Sequence, residues 1–173
     1  MENKTRCAWC EKDDLYRNYH DNEWGKPVYD DETIFEFLIL ETFQAGLSWY
    51  TVLAKRENFR KAFDNFDLTK IANYSEDKMD ALAEDAGIIR NKLKIKATVT
   101  NAQAFIKVQE EFGTFSKYIW GFVDGKPIDN KPKTLSEVKA TTPISDALSK
   151  DLKKRGFKFV GSTVVYAHMQ ATG

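Results

Sequence analysis

The sequence has few of the residues that bind metals or act as nucleophiles, with two cysteines and two histidines among 173 residues. Cys7 and Cys10 are only three residues apart, so they indicate no disulfide framework; in a reducing compartment such a pair is free or bound to metal. No apolar run is long enough to span a membrane, and the charged start MENKTRC lacks the apolar core of a signal peptide. We therefore expect a cytoplasmic protein with no membrane partner.

Net charge is also lacking, because 26 basic residues balance 26 acidic ones. This balance argues against a uniformly basic nucleic-acid binder. The basic residues are nevertheless clustered, once between Arg90 and Lys96 and again between Lys150 and Lys158. With 42% hydrophobic residues, the length predicts a single globular domain over residues 1–173.

Helical periodicity covers most of the chain. Asp30 and Asp31 are expected N-caps, and Gly46 an expected stop, for a helix that is apolar on nearly all sides and therefore buried. The stretch WYTVLAKRENFRKAFDNF continues with apolar residues at helical spacing. Two further helices follow, the first capped by Ser75, with a break at Gly87.

The last third of the chain is less regular. Residues 120–143 hold most of the prolines and are expected to form a loop. The next helix is expected to open at Ser145 or Asp146 and to close at Gly156. The tail FKFVGSTVVYAHMQATG contains a β-branched run that favours a strand by propensity alone.

Glu41 is the residue that poses a chemical question. Steps of three and four from Ile34 place it on the apolar stripe of the buried helix, where an unpaired carboxylate costs on the order of several kcal/mol or has its pKa shifted upward. One interpretation is a core glutamate satisfied by tyrosine hydroxyls or backbone amides. The other is a pocket in which aromatic faces sandwich a planar ligand and Glu41 reads its polar edge or positive charge. Six aromatic residues favour the pocket: Trp9, Tyr16, Tyr19, Trp24, Trp49 and Tyr50.

Two turns could contact DNA. In LAEDAGIIRNKLKI, Gly87 precedes several cations, as in a helix-hairpin-helix element that grips a phosphate, although any helical hairpin can place a glycine just past a helix end. Leu47 follows the turn Gln44-Ala45-Gly46 and is predicted to be exposed. It is either an ordinary surface leucine or an apolar wedge that fills the gap left by an extruded base.

The metal-binding signal is incomplete. The only thiol or imidazole side chains are those of Cys7, Cys10, His20 and His168. The sequence CAWC resembles half of a zinc knuckle, but the second half is missing. His168 lies in an apolar run, which favours a role in the core.

Four long segments carry a resemblance to a known family: RCAWC with DLYRNYHDNEWGKP, LETFQAGLSWYTVLAKRENFRKAF, DAGIIRNKLKI, and SDALSKDLKKRGFKFVGSTVVYAHMQATG. From Cys7 to Gly173 the chain resembles bacterial 3-methyladenine DNA glycosylase I. The resemblance implies an all-α fold of the helix-hairpin-helix glycosylase superfamily, with two helical lobes flanking a cleft and the hairpin element at about 76–108. It also implies a helical tail capped by Ser162, in place of the strand that propensity favours.

The implied activity is excision of 3-methyladenine from double-stranded alkylated DNA, by hydrolysis of the N-glycosidic bond after base flipping, which leaves an abasic site. The glutamate of the family's LExxQAGLSW motif is Glu41, and the resemblance makes it the catalytic residue that contacts the cationic base. Tyr19 would share the hydrogen bonding, and Tyr16, Trp9 and Trp49 would line or stack on the base.

The resemblance also assigns DNA contacts. Gly46 and Leu47 match the turn that enters the duplex, and the hairpin residues are Gly87, Ile88, Arg90 and Lys92. Because the alkylated purine is already a good leaving group, extrusion and recognition matter more than a strong base. Neither an aspartate that would stabilise the sugar cation nor a Schiff-base lysine is identified, so we expect a monofunctional, monomeric glycosylase without strand cleavage.

The zinc site that the family implies is incomplete here. Its ligands would be Cys7 and His20, together with a histidine and a cysteine shortly after the family's QAxG motif, which this chain, ending at Gly173, does not contain. We expect Cys7 and His20 to lie close together and zinc to be weak or missing.

A competing hypothesis is a non-catalytic helical module that binds DNA or a small aromatic ligand. It accounts for the hairpin and the aromatic cluster, but not for the joint match of Glu41, Tyr19 and Trp49 to a glycosylase pocket.

Overall fold

The computed structural model describes residues 4–173, where every regular element is a helix and no strand occurs. The α-helices in this range are α1 (Asp14–Asn22), α2 (Asp31–Gln44), α3 (Trp49–Ala54), α4 (Arg56–Ala62), α5 (Leu68–Ala72), α6 (Glu76–Ala83), α7 (Lys92–Phe112), α8 (Phe115–Trp120), α9 (Pro143–Lys154) and α10 (Ser162–Ala171). Short 3-10 turns lie at Ala8–Cys10, Asp64–Phe66, Gly121–Val123 and Leu135–Glu137. The predicted all-α class is confirmed.

Helix α2 is the centre of the core. It packs against α3, α7, α8 and α10, and it is apolar around nearly its whole circumference, as expected of a helix covered on all sides. Its buried residues include Ile34, Phe35, Leu38, Ile39, Leu40 and Phe43. No helix of the described residues is long and apolar enough to cross a membrane.

Asp30 and Asp31 have different roles, although the sequence predicts that both are N-caps of α2. The carboxylate of Asp30 accepts the Thr33 amide at 2.9 Å, so Asp30 is the N-cap. Asp31 is the first helical residue and instead accepts the backbone amides of Phe115 and Ser116 at 2.9 and 2.8 Å. It therefore satisfies amide groups at the start of α8, which no local sequence pattern could indicate.

The predicted break between α6 and α7 is present, but Gly87 does not end α6. Ser75 caps α6 as predicted, and the helix ends at Ala83. Gly87 lies further along, where an added Cβ would be 3.0 Å from Asp85 Oδ1 and 3.3 Å from Asn58 Cγ. The position thus favours glycine because the backbone passes close to its neighbours, not because a left-handed conformation is needed.

Two predicted helix starts near the C-terminus are wrong. Helix α9 begins at Pro143, with Thr142 and Ser145 forming a reciprocal capping box, so Ser145 is the third helical residue rather than the cap. The predicted end is confirmed, since Gly156 follows the helix with φ of +94°. Ser162 is the first residue of α10 and does not cap it; its hydroxyl bonds Asp146 at 2.5 Å.

The tail is helical, as the resemblance implied, and the strand favoured by propensity is wrong. Helix α10 packs against α2 and α9, and burial of its apolar side against those helices outweighs the weak β preference of its valines. The WYTVLAKRENFRKAFDNF stretch is also helical, divided into α3 and α4 at Lys55. The predicted 120–143 loop is largely exposed and contains two of the 3-10 turns.

The contacts of Asp31 generate a prediction about stability. Replacing Asp31 with alanine leaves the α8 amides without their acceptor, so we expect the free energy of unfolding to fall by about 2 kcal/mol. Urea unfolding followed by circular dichroism measures the difference. Glu32→Ala, in the same helical turn but exposed, is the matched control and should change stability by roughly 0.5 kcal/mol or less. Equal losses in the two variants would contradict the proposed link between α2 and α8.

Candidate functional site

A cavity of about 190 Å³ lies between α1, α2, α10 and the start of α3. This volume is below the roughly 300 Å³ at which pockets for drug-sized ligands begin, so the cavity suits a single small ring system. Its lining residues are Trp9, Tyr16, Tyr19, Trp24, Glu41, Gln44, Trp49, Ala167, Gln170 and Ala171.

The aromatic wall is built mainly on α1. Asp13 caps this helix by accepting the Tyr16 amide at 2.9 Å. Tyr16 and Tyr19, three residues apart, then project from one face of the helix. The Trp9 ring packs 4.9 Å from the Tyr16 ring, between centroids, and the Trp49 ring lies 5.6 Å from that of Tyr19. The cavity is thus enclosed by flat apolar surfaces from three separate segments.

Glu41 is the acidic residue of the site. The side chain is 3% exposed, and burial raises the pKa of its carboxyl group, whereas His168 opposes the rise. Glu41 Oε2 lies 3.1 Å from His168 Nδ1. No tyrosine hydroxyl or backbone amide of the described residues donates a hydrogen bond to Glu41. The structure therefore does not show a core glutamate satisfied by such donors, which was the first of the two interpretations.

Two further polar groups belong to residues that line the cavity. The indole Nε1 of Trp49 is buried and has no hydrogen-bond partner within residues 4–173. Burial raises the pKa of the Tyr19 hydroxyl, and the charge of Glu41 raises it further, so this hydroxyl keeps its proton. The residues that line the cavity therefore carry two N–H or O–H donors and one buried carboxyl group. This combination suits a planar, positively charged ring with acceptors on its edge.

The structure brings together the residues that the sequence assigned to the base pocket, because Trp9, Tyr16, Tyr19, Glu41 and Trp49 all line this cavity. It places Tyr50 outside the lining.

The sequence prediction left five lining residues out of the base pocket. Trp24 was noted only as a nearby aromatic. Gln44 was noted only as part of a turn, although its spacing of three from Glu41 on one helix was a usable signal. Ala167, Gln170 and Ala171 come from α10, and their part in the cavity depends on which helix packs opposite α2.

A buried lysine, Lys94, forms hydrogen bonds to the backbone of the turn that follows α2. Gly46 has φ of +80°, which favours glycine, and Leu47 is 42% exposed. Lys94, only 5% exposed, donates from Nζ to the carbonyls of Phe43 and Ala45 at 2.8 and 2.7 Å. Burial lowers the pKa of this lysine. Because Lys94 belongs to α7, it ties the Leu47 turn to the start of that helix.

The predicted hairpin residues have unequal access to a ligand. The Gly87 amide donates to Asp85 Oδ1 at 2.8 Å, and the Ile88 side chain is only 2% exposed. Arg90 is exposed, and Lys92 forms an ion pair of 2.7 Å with Asp80. Their predicted DNA contacts remain predictions, with the exposed side chains of Arg90 and Lys92 better placed than the Ile88 side chain.

The candidate metal ligands lie behind the aromatic wall. The His20 ring stacks on Trp24, with centroids 5.7 Å apart, and its Nδ1 lies 2.9 Å from Asp21 Oδ1. Cys7 is exposed, whereas Cys10 is buried. Among residues 4–173 there is no group of three or more histidine, cysteine, aspartate or glutamate side chains placed to hold a metal. These residues therefore do not make a four-coordinate zinc site by themselves.

Comparison with known proteins agrees with this geometry. The family model described as methyladenine glycosylase matches residues 9–173. DNA-3-methyladenine glycosylase 1 of Escherichia coli (strain K12) is 50% identical over 168 residues, covering 97% of this chain and 90% of the relative.

Solved structures give the same result. A crystal structure of a 3-methyladenine DNA glycosylase I variant in complex with 3-methyladenine superposes with a TM-score of 0.95 at 38% identity, covering 98% of this chain and 91% of that one. A structure on 3-methyladenine recognition by 3-methyladenine DNA glycosylase I from Staphylococcus aureus gives 0.94 at 39% identity, covering 97% and 89%. The chain belongs to the methyladenine glycosylase family.

Proposed function

We propose that this protein excises 3-methyladenine from alkylated DNA by hydrolysing the N-glycosidic bond, leaving an abasic site. The observation that carries the proposal is the buried carboxyl group of Glu41 at the wall of a small aromatic cavity. The activity named for the Escherichia coli relative and the base bound in the related crystal structure support it.

Selectivity follows from charge. A purine alkylated at N3 is cationic while it is attached to deoxyribose, whereas adenine is neutral. The cationic alkylated purine stabilises an ionised Glu41, whereas neutral adenine does so very little. The difference matters because burial makes an uncompensated carboxylate costly. Trp49 Nε1 and the Tyr19 hydroxyl are donors for acceptor atoms on the base edge.

The reaction requires modest help from the protein. As the bond from C1′ to the purine breaks, its electron pair neutralises the cationic ring, and water supplies the hydroxyl group to C1′. The site therefore has to bind the extruded base, hold it in one orientation and leave access for water. We propose a monofunctional enzyme, since no lysine is among the described residues that line the cavity.

We propose that the protein acts as a monomer. Double-stranded DNA would bind across the Leu47 turn and the helix-hairpin-helix element formed by α6 and α7. Leu47 would fill the gap left by the flipped base, and Arg90 with Lys92 would neutralise phosphates after Lys92 leaves Asp80. The exposure of Leu47 and its link to α7 through Lys94 support this arrangement.

We propose that zinc, if bound, is held weakly. Cys7 and His20 would supply two of its four ligands, and no step of the reaction described above depends on it.

The function is tested by base release from methylated DNA, with chromatography of the freed bases. We expect a 3-methyladenine peak from the wild-type protein and at least a hundredfold lower rate from Glu41→Gln, because the amide cannot offset the base's charge. Binding of methylated DNA should persist in the variant, and borohydride should trap no protein–DNA adduct. A trapped adduct would refute the monofunctional mechanism, and unchanged release by Glu41→Gln would make Glu41 a core residue only.

The same variant should be more stable than the wild type at neutral pH. Because burial raises the pKa of Glu41 in the folded protein, ionisation of this group destabilises the fold as pH rises from the unfolded value through the folded one. Glu41→Gln removes that penalty, so its melting temperature should exceed the wild-type value at pH 7 and the gain should shrink on acidification. A melting temperature below that of the wild type at every pH would contradict the assigned burial penalty.

Lys94→Met should separate DNA handling from base binding. The variant keeps the aliphatic stem but loses both hydrogen bonds to the carbonyls after α2, so the Leu47 turn is no longer held to α7. We expect a tenfold or greater loss of kcat/KM on methylated duplex DNA, with binding of free 3-methyladenine, measured by tryptophan fluorescence, unchanged. Lys107→Met, an exposed lysine further along the same helix and outside the Arg90–Lys96 cluster, is the control. Equal weakening of free-base binding would instead indicate general unfolding of the site.

A further inference from the structure

Among the described residues, His168 is a buried polar side chain next to the site that the proposed function leaves unused. It is 1% exposed and lies on α10 between Ala167 and Gln170, which line the cavity, but it is not itself one of the lining residues. The ring contacts α2 instead, where Nδ1 lies 3.1 Å from Glu41 Oε2. A histidine in an apolar run is ordinarily part of the core, so this placement calls for an explanation.

The surroundings of the ring leave Glu41 as its polar partner. Neither His168 Nδ1 nor Nε2 has a well-aligned hydrogen bond within residues 4–173, and Glu41 Oε2 has none either. Buried polar atoms are rarely left in this state.

We infer that His168 is a positioning residue that holds the Glu41 carboxylate ionised and oriented toward the cavity. The inference rests on the proposed function, since an ionised Glu41 matters most when a cationic base has to be recognised. Nδ1 must carry a proton for this role, because the carboxylate oxygen only accepts. The direction of the pKa shift agrees, as His168 opposes the rise that burial causes at Glu41.

Other charged groups near α2 are already engaged. From α7, the Lys94 ammonium is bound by two carbonyls at the end of α2. Near α1, Glu23 and Arg56 pair with each other at 2.6 Å. Tyr19 of α1 keeps its proton and bears no charge. Within the described residues, His168 is therefore the group that lowers the pKa of Glu41.

Two substitutions separate positioning from packing. His168→Phe keeps a ring of similar shape and removes the donor, whereas His168→Asn keeps an amide N–H near the position of Nδ1. In His168→Phe we expect the acidic limb of the kcat–pH profile to move up by about one pH unit or more, since the pKa of Glu41 is no longer opposed. The KM for methylated DNA should stay near the wild-type value. His168→Asn should restore the limb.

The outcomes are distinct. Identical pH profiles for the wild type and His168→Phe would overturn the inference. It is also overturned if both variants lose activity only in step with their melting temperatures, because the histidine would then serve packing alone. If the wild type itself releases no 3-methyladenine, the proposed function fails, and the inference is judged on the spectroscopy of the wild-type protein.

That spectroscopic test needs no folded variant of His168. The chain has only two histidines, so ¹⁵N imidazole spectra of the wild-type protein contain two rings, and a His20→Gln sample identifies the His168 signals. We expect the Nδ1 of His168 to be protonated and its resonance to shift in Glu41→Gln. An unprotonated Nδ1, with the proton on Nε2, would refute the positioning role directly.

Discussion

The buried carboxyl group of Glu41, in the helix at the centre of the core, is the constraint around which the site is arranged. Glu41 is nearly inaccessible, yet α2 surrounds it with phenylalanine, leucine and isoleucine. The ionised form of Glu41 is costly in that environment, and binding of a cationic ligand beside it offsets the cost. The cavity that Glu41 lines is the site for such a ligand, and a cationic alkylated purine has the required charge and shape.

Helix α2 also fixes the positions of the elements that serve the site. Its middle faces α10, which brings His168 within 3.1 Å of Glu41. Its end is fastened to α7 by Lys94, so the exposed Leu47 and the basic start of α7 form one unit. Its first residue, Asp31, holds the start of α8. A buried helix with polar groups at selected points thus connects the cavity to the Leu47 turn and to the start of α7, while its apolar surface supplies the core.

Most helices follow from local chemistry and could be predicted. Asp30 and Ser75 cap helices as their sequence contexts indicate, and Gly156 ends α9 with a positive φ. The wrong predictions concern segments in which two local structures compete. Ser145 and its neighbours offer several possible caps, and the reciprocal box with Thr142 is chosen over the others. In α10, the β-branched residues favour a strand until burial against α2 and α9 decides for a helix.

Three features depend on the spacing of a few residues along the chain and can be predicted from it: Glu41 lies on an apolar stripe, aromatic residues accompany it and Leu47 follows a turn. The partner that the carboxylate meets depends instead on how the helices pack. His168 lies far from Glu41 in sequence, and its Nδ1 reaches Oε2 because α10 packs on α2. The same holds for Lys94 and the end of α2. Contacts between distant segments depend on how whole helices pack, and no short pattern encodes that.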